Sequence, residues 1–366
     1  MHVPFLDLSV SKSDQAALLE SISSVLEHGK LIQGPEHDEL EKQIAKYCNR
    51  RFCVAVGSGT DALYLTFKSL NISQGHEVIT TPLSWIASTN AFYLNGALPV
   101  FADIDETLNI DPHSIESLIS PKTKAILSVD YAGSPANYKV LQTIAERHNL
   151  LLIEDGSQAF GASRDGDKVG SFGIASCISM NPMKPLAATG EAGVILTDDQ
   201  HLYDKLVVAR YSGMVNKEVC YSPSLNCRMD TLQAAVILTR LPFYHSVISR
   251  RQDIAKHYRA SLSSHLEFPV IPEGVEHAYY LFLVSTNKRD LLFDYLNKVG
   301  IEARIRDNML ISNQPCYASY NKHYSVNATA AVNNLLALPA HEKMTDKQID
   351  YVVHHVKHFF EHEDHD

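Results

Sequence analysis

From about residue 50 the chain alternates between short apolar runs and longer stretches with helical spacing. The runs "FCVAVGS", "HEVITTP", "LPVFADID", "KAILSVDY", "LLLIEDGS", "ASCISMN" and "AGVILTDD" are apolar and β-branched with little interruption. That pattern marks strands buried on both faces. Between them, "TDALYLTFKSLN", "SIESLIS" and "YKVLQTIAERHN" read as helices. The alternation predicts an α/β fold, a mainly parallel sheet covered by helices. Two amphipathic stretches ahead of it, "DQAALLESISSVLEHGK" and "HDELEKQIAKYC", are expected as helices lying over the sheet.

After about residue 240 the texture changes. A long helix, "FYHSVISRRQDIAKHYRASLSSH", leads to "YYLFLVST", to a helix "RDLLFDYLNKVG", and to a last helix from "TDKQIDYVVHHVKHFF". The expected division is a large domain over 1–240 and a small C-terminal α+β domain over 241–366.

Composition narrows the classes. The chain has 366 residues, 45% of them hydrophobic, and a net charge of −10 from 32 basic and 42 acidic residues. It offers no basic footprint for nucleic acid and no apolar run of membrane-spanning length. Its start, "MHVPFLDLSV", lacks the basic and apolar regions of a signal peptide. The chain therefore reads as cytoplasmic, without a nucleic-acid or membrane partner. Six cysteines with no C-x-x-C pair read as reduced thiols. The histidines His354, His355, His358, His362 and His365 crowd the end. They read as a solvated helix face rather than a metal tail, and no metal is expected.

Ligands of open α/β sheets sit at the carboxyl ends of the strands. The polar residues there are Ser58 to Asp61, Ser84 and Trp85, Asp130 and Tyr131, Asp155 to Gln158, and Ser179 to Lys184. "GSGTDAL" is a glycine-flanked turn opening a helix, where free N–H groups and the helix dipole bind phosphate; the plain alternative is a simple cap. It matches neither a Walker loop nor G-x-G-x-x-G. Asp155 ends a very apolar strand, so its carboxylate needs a partner, such as a ring cation; the alternative is a helix N-cap. Glu154 should point to the opposite face. Trp85, the single tryptophan, offers a flat face to a ring, or else packs in a core or interface. Lys184 is a solvated loop lysine or a buried amine; its neighbours Met180, Pro182, Met183, Pro185, Leu186, Ala187 and Ala188 favour the second. Pyridoxal phosphate needs all four features together: a lysine for its aldehyde, an acid for its ring nitrogen, an aromatic face and a phosphate cup.

On these residues the chain resembles the DegT/StrS family of nucleotide-sugar aminotransferases, which have the fold type I aminotransferase architecture. The resemblance runs over nearly the whole chain, through "LIQGPEHDELE", "SGTDAL", "TTPLSWIASTNAFYLNGALPVFADID", "EDGSQAFGA", "LAATGEAGVILTDD" and "LNCRMDTLQAA". It implies that Lys184 bonds the cofactor and that Asp155 pairs its ring nitrogen. It further implies that Gln158 meets the ring oxygen, that Trp85 stacks on the ring, and that Gly59, Thr60, Asp61 and Ser179 hold the phosphate. Asn226 would reach the phosphate of a partner subunit's cofactor, which implies a homodimer with shared sites. Catalysis is then expected from Lys184 and Asp155. The implied reaction moves an amino group from an amino acid, L-glutamate, to a UDP-4-keto-6-deoxy-HexNAc type of sugar, for surface glycan or nonulosonic acid biosynthesis. Within the family, "SVDYAG" and the Lys-Pro pair resemble the pseudaminic-acid branch, whose product is a UDP-4-amino-4,6-dideoxy-N-acetyl-β-L-altrosamine. Two departures stand out: "VDYAG" replaces a His-Leu-Tyr-Gly segment, and Arg306 and Asp307 stand at the positions of a His-Tyr pair. Arg304 and Arg306 read equally as anion ligands or as exposed charges. The alternatives are a sugar dehydratase, whose relatives carry histidine in place of the lysine, and a non-catalytic cofactor-bound regulatory protein.

Overall fold

The computed structural model describes residues 1–323 and 325–362; the expectation for His365 lies outside them. All seven apolar runs are strands: β1 (Phe52–Val56), β2 (Glu77–Thr80), β3 (Leu98–Phe101), β4 (Thr123–Val129), β5 (Leu151–Asp155), β6 (Ala175–Ser179) and β7 (Gly193–Thr197). They form one sheet in the order β1-β7-β6-β5-β4-β2-β3. The pairs from β6 through β3 are parallel, and β7 runs antiparallel between β1 and β6. The fold is the expected α/β one, a mostly parallel sheet between helices.

Side chains alternate between two cores, as strand geometry requires. In β4, Ala125 and Leu127 enter one core and Ile126 the other. The helices ahead of the sheet are α1 (Lys12–His28) and α2 (Pro35–Tyr47); α3 (Gly59–Ser69) follows β1 and α4 (Ala87–Tyr93) follows β2. The stretch expected as a helix at "SIESLIS" is only a turn of helix, Pro112–Ile115, and a 3₁₀ turn, Glu116–Leu118. Pro121 lies just beyond it, and the chain before a proline is driven out of the helical region. Helices at Gln200–Ala209 and Thr231–Arg240 had not been singled out by the pattern.

Beyond the sheet, Phe282–Ser285 pairs antiparallel with Leu335–Leu338. Around this pair a separate core gathers Leu292, Leu296, Val352 and Val356. The helix Tyr244–Leu262 serves both regions: Tyr244 and Ile248 pack with the sheet, Ile254 and Tyr258 with the second core. We propose that these cores mark the two domains, with this helix shared between them. The last helix, Asp346–His362, keeps Val352 and Val356 buried and His354, His358 and His362 on its solvated face. No helix among the described residues is long and apolar enough to cross a membrane. The six cysteines are free thiols.

Candidate active site

The carboxyl ends of β1, β2, β4, β5 and β6 lie along one edge of the sheet, so the five polar loops meet there. Asp155, at the end of β5, is buried. Ser88 Oγ of α4 donates to its Oδ2 at 2.7 Å, and the Ser157 N–H reaches its Oδ1 at 3.2 Å. Ser84 Oγ lies 3.1 Å from Ser88 Oγ and extends the network. No helix follows Asp155, only a turn, so the capping alternative gives way. Glu154 does point away: it accepts from the Gly170 N–H at 2.9 Å and the Phe172 N–H at 3.1 Å. Burial raises its pKa. Asp130 sits with it, raised far above the carboxylate range by burial and by Glu154. Its Oδ1 accepts from the Ala136 N–H and from the Tyr138 hydroxyl, both within 2.9 Å. Asp130 is thus a structural residue on the far side of the loop.

The loop Asp130–Gly133 ties the site together. The Asp130 N–H donates to the Asp155 carbonyl at 3.1 Å, and the Ala132 N–H donates to Gln158 Oε1 at 2.9 Å. The carbonyls of Ala132 and Gly133 accept from Leu281 and Ala278. This brings the segment at Tyr280 against the loop. Gly133 has φ +111°, and a Cβ there would stand 2.8 Å from the Tyr279 nitrogen, so only glycine permits the approach. Tyr280 in turn faces Lys184, whose Nζ lies 4.1 Å from the ring centroid. Lys184 is half-buried on a turn, its N–H donating to the Asn181 carbonyl at 2.8 Å, with Leu186, Ala187 and Ala188 buried behind it.

At the start of α3, Ser58 Oγ accepts from the Asp61 N–H at 3.0 Å. The Asp61 carboxylate turns toward Gly57. That N–H is spent inside the cap, while those of Gly59 and Thr60 have no partner among the described residues. A Cβ on Gly59 would stand 2.6 Å from Ser179 Cβ and 3.2 Å from Ser179 Oγ. The helix start and the end of β6 therefore approach as closely as glycine allows, and the Ser179 hydroxyl lies beside Gly59 at that start. This is an anion cup. Cup, lysine, buried carboxylate and Gln158 lie on one sheet edge, and they fit a phosphorylated pyridine cofactor. Trp85 is 62% exposed and bonded into the same turn as Ser88, whose N–H reaches its carbonyl. Asn226 is exposed and accepts from Arg228 Nε at 2.8 Å; the carbonyl of its neighbour Cys227 accepts from the Gly57 N–H at 2.8 Å, just ahead of α3.

The two unusual sequence segments meet in space. The Tyr131 hydroxyl donates to Asp307 Oδ2 at 2.8 Å. The two arginines separate clearly. Arg304 is exposed and bonds Glu302 at 3.2 Å, whereas Arg306 is half-buried beside Tyr280 and Met183. Ser88 and Tyr280 are site neighbours beyond those the sequence motifs indicate. Ser88 sits one turn after Ser84, a spacing a helix would bring together; nothing in the sequence announces Tyr280.

Against known proteins, the model of the DegT/DnrJ/EryC1/StrS aminotransferase family matches residues 12–357. The UDP-2-acetamido-2-deoxy-3-oxo-D-glucuronate aminotransferase of Pseudomonas aeruginosa is 32% identical, over 96% of this chain and 98% of that one. The crystal structure of NtdA from Bacillus subtilis with bound cofactor PMP is 30% identical, with a TM-score of 0.92 over 98% of this chain and 85% of that one. Helicobacter pylori PseC, an aminotransferase involved in the biosynthesis of pseudoaminic acid, is 27% identical, with a TM-score of 0.91 over 99% and 100%.

Proposed function

This chain belongs to the DegT/DnrJ/EryC1/StrS aminotransferase family and works with pyridoxal phosphate, and from that premise we propose that it transfers an amino group from an amino acid, L-glutamate, to a keto-deoxy sugar carried on a nucleotide. The observation that carries the reading is the convergence of Lys184, Asp155, Gln158 and the open start of α3 on one sheet edge.

When bound, pyridoxal phosphate supplies an aldehyde that takes up amines and a ring that draws electrons from the adjacent carbon. The chain's residues do the rest. The N–H groups of Gly59 and Thr60 and the hydroxyl of Ser179 hold the phosphate. Asp61 shapes the turn that presents them. Asp155, fixed by Ser88, keeps the ring nitrogen protonated. Gln158 spends its Oε1 on Ala132, which leaves its amide donors for the ring oxygen. Trp85 gives the ring a face. Lys184 would hold the cofactor through Nζ and, once the incoming amine has displaced it, its freed amine would carry a proton to and from the substrate carbon. Asn226 is exposed, which suits a reach into a second subunit's site in a homodimer.

The finer reading is a UDP-4-keto-6-deoxy-HexNAc acceptor. "SVDYAG" and the similarity to the Helicobacter protein support it. A 3-keto acceptor is the second reading, favoured by the name of the Pseudomonas relative. Lys184 stands where a dehydratase would carry histidine, and the intact site opposes a non-catalytic regulator.

The test is the absorbance spectrum of the protein with pyridoxal phosphate, before and after L-glutamate. The lysine-bound band should give way to that of the amine form, and 4-keto and 3-keto UDP-sugars should then restore it at different rates. Lys184→Ala should abolish both changes. A bound cofactor indifferent to glutamate sinks the donor assignment, and amino transfer by Lys184→Ala sinks the mechanism.

A further inference from the structure

Beside Lys184, Arg306 lines a small cavity of about 20 Å³ with Phe5, Met183, Tyr280, Arg251 and His341. The cavity holds two guanidinium groups, and only one is neutralised. Arg251 donates to Glu342 through Nε and Nη2 at 3.1 and 2.8 Å, and to the Tyr279 carbonyl at 3.1 Å. Arg306 has neither an ion pair nor a hydrogen bond among the described residues. Asp307, its neighbour in sequence, is engaged by Tyr131. An arginine is charged at every working pH, and half-buried Arg306 keeps that charge without a protein partner among the described residues.

His341 makes the same point independently. It is 2% exposed and neither ring nitrogen has a hydrogen-bond partner. Burial lowers its pKa and outweighs Glu342, Asp7 and the Pro4 carbonyl, which raise it, while Arg251 adds to the lowering; neither nitrogen is held in a hydrogen bond of good geometry. A fork of donors and an idle imidazole thus face one space, next to the amine that does the chemistry. Buried polar groups of this kind are ordinarily satisfied.

We propose that Arg306 and His341 form a carboxylate subsite that orients a substrate acid group toward Lys184. The planar guanidinium matches a carboxylate by two parallel bonds. The cavity has little more than the space a water needs, so it admits no sugar or diphosphate, and an acid group would enter only at its tip, from the adjoining groove. A larger groove of about 510 Å³, lined by Lys184, shares Leu6 and Arg251 with it and takes the remainder of a substrate. The acid is that of the amino donor or a uronic acid on the acceptor. The inference rests on the aminotransfer reading for the place of the reacting amine.

The experiment is calorimetric titration of the holoprotein with three ligands that cannot react: glutarate, UDP-glucuronate and UDP-N-acetylglucosamine. Wild type, Arg306→Gln, Arg306→Lys and the control Arg304→Gln are compared, each checked for an unchanged melting temperature. Loss of about 1.5–3 kcal/mol of charge-assisted bonding is expected, so Arg306→Gln should bind the acid about 10- to 100-fold more weakly. Arg306→Lys should recover part of the loss, and UDP-N-acetylglucosamine should be unaffected. A loss confined to glutarate assigns the donor's acid, and one confined to UDP-glucuronate assigns the acceptor's. The proposal is overturned if wild type binds neither acid, if Arg306→Gln binds both as wild type does, or if all three ligands weaken alike. The glutamate-dependent spectrum of wild type is read separately, so failure of the aminotransfer reading is distinguishable from failure of the subsite.

Discussion

The Tyr131 hydroxyl donates to Asp307 Oδ2 across 176 residues of sequence. Tyr131 is 1% exposed and anchored through its N–H to Asn109 Oδ1 at 2.9 Å. Asp307 is in the left-handed region, with φ 48°, an uncommon conformation that its surroundings must hold. The two places where the sequence departs from the family pattern are one interaction. Each departure supplies what the other needs, a buried donor and a carboxylate.

That pairing predicts strong coupling. Tyr131→Phe keeps the ring and deletes the donor, and Asp307→Ala deletes the acceptor. A hydrogen bond to a charged group contributes about 1.5–3 kcal/mol. A double-mutant cycle on urea unfolding should therefore return a coupling energy of that order. Additive losses in the double variant would mean that the contact does not hold the loop. Tyr131→Phe should also raise the KM of whichever substrate carries the acid group, because Arg306 is carried on the same backbone.

Ser88 orients Asp155 rather than reacting itself. Ser88→Ala leaves the carboxylate with the longer Ser157 N–H contact. A loss of about 1.4 kcal/mol, within the range for such bonds, is a tenfold effect. The expected result is kcat lowered about tenfold, with cofactor affinity nearly kept and Ser88→Thr recovering much of the rate. Asp155→Asn, which removes the charge itself, should cost more than Ser88→Ala. Equal kcat for Ser88→Ala and wild type would show that Asp155 needs no such support.

The seven strands were legible because buried parallel strands are apolar along their whole length, and this sheet has both faces covered. The direction of β7 was not legible: "AGVILTDD" is as apolar as its parallel neighbours, and no local signal records which way a buried strand runs. Lys184, Asp155 and Gly59 stand out as candidates because each breaks its local pattern, as a charge in an apolar stretch or a glycine opening a helix. Tyr280 does not, and Arg306 could not be told apart from Arg304. They work by meeting residues about a hundred or more positions away, and a tyrosine before a strand or an arginine in a polar loop is ordinary by itself. Asp61 shares the motif of the phosphate ligands, but its N–H is already bonded to Ser58.

The close contact of Gly59 with Ser179 yields a sharper test of the cup than deletion of a donor would. A methyl group on Gly59 would collide with Ser179 Cβ at 2.6 Å. Gly59→Ala must push the start of α3 away from β6, although alanine suits a helix better than glycine. Pyridoxal phosphate affinity should fall at least about tenfold while the melting temperature changes little. Gly59→Ala with Ser179→Gly removes the clash and should rebind the cofactor better than Gly59→Ala alone, even though a hydroxyl is lost. If the double variant binds worse than both single ones, the spacing is not what the glycine provides.

His37 gives the fold a dependence on pH that is separate from catalysis. It is buried in α2 with neither ring nitrogen hydrogen-bonded. Glu41 Oε1 lies 3.7 Å away, but that carboxylate is engaged by Arg210 and by the Ala55 N–H. Burial lowers the His37 pKa from 6.5 to about 4, Arg210 adds to the effect, and Asp38 opposes it. The folded state therefore binds fewer protons than the unfolded chain. The contribution of a neutral His37 is complete above pH 6.5 and is lost as the pH falls from there toward 4. Each pH unit inside that window costs up to about 1.4 kcal/mol for one proton. Urea midpoints measured between pH 7.5 and 5 should fall for wild type. His37→Gln, which cannot take up the proton, should show a slope shallower by about one proton. Parallel curves for the two proteins would place the acid sensitivity elsewhere, with His277 next in line, since burial lowers its pKa to about 3.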